Sequence, residues 1–103
     1  MTKIQFIVRY NQALADHNLL HRDVVMLAAL AHMAAEGKTE ATTGEVSEAS
    51  AEPNAAAVLR RLSANNLLDA RHDTRRFNNA THRVVFYSIN QNGIETLNKV
   101  ISL

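Results

Sequence analysis

At 103 residues, 47% of them hydrophobic and none of them cysteine, the chain can build one modest core, and it excludes both a disulfide framework and a thiolate metal site. A net charge of +1 singles out no partner, so any electrostatic footprint must lie in how the charges are distributed. The longest apolar run, residues 24–31, is too short to cross a membrane, and Met1-Thr2-Lys3-Ile4 lacks the build of a signal peptide, so a single-domain cytoplasmic protein is expected.

Across residues 3–16 the apolar Ile4, Ile7, Val8 and Leu14 recur near helical spacing, with Phe6 and Tyr10 on a neighbouring face. His17-Asn18 ends this first helix. A second helix is predicted over residues 22–36, where Asp23 suits the positive end of the dipole and Gly37 follows as the closing residue. Its middle, residues 24–31, is apolar nearly all round, which makes it either the central post of the core or part of a subunit interface. Residues 38–43 form a polar connector with room for a very short strand. Thr43 is placed as the N-cap of a short helix over 44–50, with Glu45 and Glu48 early in it.

Pro53 opens a fourth helix over 53–65, in a first turn where its missing N–H is not needed. Ala55, Val58, Leu59 and Leu62 form its inward stripe, which leaves Asn54, Ala57, Arg60 and Arg61 facing outward. Asn65-Asn66 closes it, because asparagine tolerates the left-handed conformation of a helix end. Leu67-Leu68-Asp69-Ala70 then begins a strand. A polar loop spans 71–83 with Asn78-Asn79 as its turn, and residues 84–89 alternate as a second strand. A last helix, residues 94–103, carries Ile94, Leu97, Val100 and Ile101 on one face. The fold class is therefore mainly α with a small β-hairpin. Helix, strand, basic loop, strand is the order of a winged helix-turn-helix.

Charge concentrates on the loop. Between Asp69 and Arg83 four arginines (Arg71, Arg75, Arg76, Arg83) stand against two aspartates (Asp69, Asp73), whereas between Lys38 and Ser63 Glu40, Glu45, Glu48 and Glu52 outweigh Lys38, Arg60 and Arg61. Such a loop would grip phosphate, or serve only as a solvated segment. His17, His21, His32, His72 and His82 do not converge with carboxylates in the sequence, so no metal and no cofactor is expected. There is no phosphate-cradling glycine loop and no nucleophile–base spacing, so an enzyme is not expected.

The runs Thr42-Thr43-Gly44-Glu45-Val46, Val58-Leu59-Arg60-Arg61-Leu62, Asp73-Thr74-Arg75-Arg76 and Tyr87-Ser88-Ile89-Asn90-Gln91-Asn92-Gly93 together resemble the MarR-type winged helix regulators over roughly residues 40–103. Asn66 stands where that family has glycine. The resemblance implies a homodimer on pseudo-palindromic double-stranded DNA, with a recognition helix in the major groove and the wing on the minor groove. On this reading Thr43, Asn54, Ala56, Ala57, Arg60 and Arg61 belong to the recognition region, and Arg71, Arg75, Arg76, Asn78, Asn79 and Arg83 to the wing. Asn54 has the edge to pair with adenine, and the alanines suit a thymine methyl.

The whole of residues 1–103 then forms one domain. Its first and last helices supply the dimer interface through Ile4, Ile7, Tyr10, Ile94, Leu97, Val100 and Ile101. The expected function is a sequence-specific transcriptional regulator, in the repressor role, with any small-molecule effector unknown. Two other readings stay open: a winged helix that binds protein as a phage- or plasmid-type modulator, and DNA binding for plasmid partition or replication.

Overall fold

Short capping motifs decide where the helices begin. Thr2 and Gln5 exchange reciprocal hydrogen bonds at the start of α1 (Lys3–Asp16), and Thr42 and Glu45 do the same at the start of α3 (Thr43–Ser50). The cap of α3 is thus Thr42, one residue before the expected Thr43. Only Thr42 has a glutamate three residues on, which is the spacing a capping box needs. In α2 (His21–Ala35) the Asp23 carboxylate accepts the Leu20 N–H at 2.7 Å, satisfying one of the donors a helix start leaves free. The computed structural model describes residues 2–102; Met1 and the expected helix end at Leu103 lie outside them.

The remaining elements are β1 (Ala41–Thr42), α4 (Ala55–Ala64), β2 (Leu68–Phe77), β3 (Ala80–Ile89) and α5 (Gln91–Ile101). The architecture is mainly α with one antiparallel sheet of order β1-β3-β2, the expected winged helix-turn-helix. Pro53 lies ahead of α4 instead of inside its first turn, because Ala51 turns the chain in the left-handed region (φ 57°) and residues 52–54 complete the bend. α5 starts at Gln91, earlier than expected, because the Asn90 side chain caps it by accepting the Gly93 N–H at 2.9 Å.

The core gathers around α2. Met26 and Leu27 are fully buried, and Val46, Val58, Leu59, Leu62, Tyr87 and Val100 close round them from α3, α4, β3 and α5. Of the two roles open to α2, the structure gives it the central post. The main correction concerns residues 71–83, which are not a loop. β2 and β3 pair without a break from Leu68↔Ile89 to Phe77↔Ala80, and only Asn78 and Asn79, at φ 50° and 62°, form the turn. Ten residues per strand make a ribbon about 33 Å long at ordinary strand rise. Beyond its root the hairpin is exposed on both faces, and it draws the molecule out to 56 × 25 × 23 Å.

Candidate nucleic-acid interface

The α3–turn–α4 unit presents the front of α4. Its inward stripe, Ala55, Val58, Leu59 and Leu62, is buried as expected. Asn54, Ala56, Ala57 and Arg60 are exposed, and Asn54 makes no capping bond with its side chain, which leaves its amide free. Thr43 is half-buried in the first turn of α3. Arg61 does not face outward. Its guanidinium reaches back to donate to Asp23, which is 1% exposed and also holds the Leu20 N–H. A buried carboxylate needs a paired cation, and Arg61 supplies it. A cavity of about 280 Å3 lies beside this pair, lined by Asn18, Leu19, Leu20 and Asn65 as well.

Acidic residues around α3 do not all face outward. Glu45 is bonded to Thr42 and pairs with Lys38 at 2.6 Å; the Lys38 ammonium chiefly, then the Thr42 N–H, hold its carboxyl down at about 2. Glu52 turns its carboxylate onto the Asn54 N–H at 3.1 Å. Glu48 is exposed.

The four wing arginines divide into two kinds. Arg71 forks onto Glu40 at 2.8 and 3.1 Å and reaches Asp73 at 3.0 Å, so its charge is spent inside the protein. That pairing lowers the Glu40 carboxyl from its ordinary range, and Asp73 is lowered first by the Thr74 N–H and then by Arg71. Arg71 also lies over the Phe86 ring of β3, 4.5 Å from its centre, while its bonds to Glu40 tie β2 to the connector before β1. Arg75, Arg76 and Arg83 form no ion pair among the described residues, although Arg75 leans over Phe86 at 5.1 Å. Asn78 and Asn79 sit exposed at the tip.

The residues expected at a subunit surface also divide. Ile4 and Ile7 are 76% and 63% exposed, and Ile94 and Ile101 are exposed too. Leu97 and Val100 are buried in the chain's own core and present nothing to a partner, because α5 packs its inner face on α1, α2 and β3. Tyr10 is half-buried; its ring stacks on Phe6, and its hydroxyl lies 2.8 Å from His21 Nδ1.

A helix-turn-helix leading into a projecting basic hairpin is what solved structures can now be set beside. The fold is a winged helix-turn-helix. The chain superposes on BpsR of Bordetella bronchiseptica, a protein whose DNA binding is regulated by 6-hydroxynicotinic acid, with TM-score 0.68 and 21% identity over 95% of this chain and 68% of that one. It also superposes on NadR, solved in complex with 4-hydroxyphenylacetate, with TM-score 0.61 and 15% identity over 95% of this chain. The chain spans 64% of NadR's length. No family model and no curated protein matches the sequence.

The winged helix carries one feature that sequence reasoning passed over. Phe77, at the end of β2, is 69% exposed beside the turn. An aromatic next to an Asn-Asn turn was the available signal.

Proposed function

We propose that this chain is a MarR-type DNA-binding transcriptional regulator that acts as a homodimer, with α4 in the major groove and the hairpin as its wing. The observation that carries this reading is the hairpin itself: a ribbon that leaves the body of the protein and bears three arginines that form no ion pair among the described residues. Such cations gain little by folding. Against DNA they displace counterions and contribute binding free energy. Asn54, Ala56, Ala57 and Arg60 supply base-edge and phosphate contacts from α4, and the wing positions the protein on the backbone.

The dimer would form through the exposed side of α1 with Ile94 and Ile101 of α5, and two-fold symmetry would match a pseudo-palindromic site. Repression would follow from occlusion of that site. BpsR responds to 6-hydroxynicotinic acid and NadR was solved with 4-hydroxyphenylacetate, which supports a small aromatic acid as effector class here.

Gel-shift titration across salt tests the wing. Replacing Arg75 and Arg76 together with alanine is expected to weaken binding about tenfold or more, and to reduce the slope of log K against log salt by roughly 0.9 for each phosphate contact removed. Unchanged affinity and slope would remove the wing from the interface. Absence of any duplex binding at low salt would instead favour the protein-interaction reading.

A further inference from the structure

We infer that Phe77 is an apolar wedge that enters between stacked base pairs in the minor groove and kinks the DNA, an inference that rests on the proposed DNA-binding function. Phe77 is no part of the hydrophobic core. It stands at the far end of the ribbon, 69% exposed, across from the small Ala80, where no core residue reaches it. The other aromatic on the same face of the hairpin, Phe86, is covered by the guanidiniums of Arg71 and Arg75, whereas Phe77 has no such cover. A large bare aromatic at the tip of a polar ribbon is therefore available to an external surface.

What surrounds it selects that surface. By strand alternation Arg75 shares Phe77's face of the ribbon, two residues nearer the root, while Arg76 and Arg83 lie on the other face, so the outer hairpin carries cations on both of its faces. A polyanion with flat apolar interiors fits this arrangement. The two residues of the turn are both left-handed and the strands are paired up to Phe77↔Ala80, so the ring is carried on a short, defined tip.

Inserting a wedge unstacks a step, bends the duplex toward the major groove and opens the minor groove to the tip of the hairpin.

The test uses the full chain and an A·T-rich duplex of roughly 30 base pairs with a central TpA step, dye-labelled at both ends, at low salt. Energy transfer between the dyes should show the unmodified protein bending this duplex by about 20–90°, and 2-aminopurine at the central step should brighten as it unstacks. Phe77→Ala should bind about five- to tenfold more weakly with an unchanged salt slope, and should leave the duplex straight. Phe77→Leu should retain the bend, because the wedge needs bulk and apolarity more than aromaticity. Binding without bending, or equal bending by Phe77→Ala, overturns the wedge and leaves DNA binding standing. Failure of the unmodified protein to bind at all overturns the functional reading beneath it.

Discussion

Arginine side chains in this protein have two uses that their sequence neighbourhoods do not separate. Arg60 and Arg61 are adjacent on one helix, yet one is exposed and the other closes a buried carboxylate. Arg71 and Arg75 share a face of the hairpin, yet one is clamped by Glu40 and Asp73 and the other makes no ion-pair contact among the described residues, feeling Asp73 only at longer range. Asp23 links the cap of α2 to α4. Its loss would leave the Leu20 N–H and the Arg61 guanidinium without their acceptor. Asp23→Ala is therefore expected to cost about 2–4 kcal/mol, and Arg61→Ala about as much, since each strands a group that the pair satisfied. Urea denaturation would show this as a lower midpoint at unchanged slope; a midpoint within experimental error of the parent would mean that the pair contributes little to stability. Arg60→Ala, at an exposed position, should move the midpoint by less than about 0.5 kcal/mol equivalent.

Elements meet most tightly where α4 gives way to β2. Asn66, at φ 61°, takes the left-handed position that the MarR-type pattern gives to glycine, and its carbonyl accepts the side-chain amides of Asn90 (3.1 Å) and Asn92 (3.0 Å). α5 can come this close because Gly93 has no side chain. A Cβ there would lie 2.2 Å from the Leu67 carbonyl oxygen, a backbone atom that cannot swing away, and 2.8 Å from Ile89 Cγ1. Gly93→Ala should therefore destabilise the fold by about 1–3 kcal/mol, because the overlap outweighs the helix propensity gained. Gly44→Ala is the contrasting case. Its Cβ meets nothing within 4 Å, so the same change inside α3 should raise stability by up to about 1 kcal/mol. Thermal melts of the two variants should move in opposite directions. A neutral or stabilising Gly93→Ala would show that α5 can slide off the turn without loss.

The whole molecule distributes its apolar surface unevenly. α2 buries Val24, Met26, Leu27 and Leu30 and exposes only small or polar residues such as Ala28 and His32, whereas α1 buries Leu14 and leaves Ile4, Phe6, Ile7 and Val8 in solvent. Ile94 and Ile101 are likewise exposed on α5, which packs against α1. Burying such side chains is worth roughly 25 cal/mol per Å2 of apolar area, enough for a second copy of the chain to be the natural cover under the proposed function. Sedimentation velocity should then give a dimer, and Ile4→Asp with Ile7→Asp should weaken association about a hundredfold or more while leaving the melting of the monomer nearly unchanged. A parent that sediments as a monomer would remove this interface.

How much was legible beforehand follows from the range of each interaction. The helices, their stripes and the asparagine turns rest on contacts within four or so residues, so local spacing marks them out; Thr42 was misread only because the residue beside it is also a threonine. The hairpin beyond its root was harder. A ribbon wet on both faces has no apolar alternation to announce it, and its hydrogen bonds come from the opposite strand.

By itself, then, the chain determined the element order, the amphipathic stripe of α4 and the basic character of the hairpin, because those follow from residue type and short-range geometry. Only the tertiary structure decided which cations are free and which apolar residues are surplus. Arg61 finds Asp23 across 38 residues and Arg71 finds Glu40 across 31, and such pairings depend on where folding brings the side chains. Leu97 and Val100 vanish into the core for the same reason, while Phe77 is left bare at the tip.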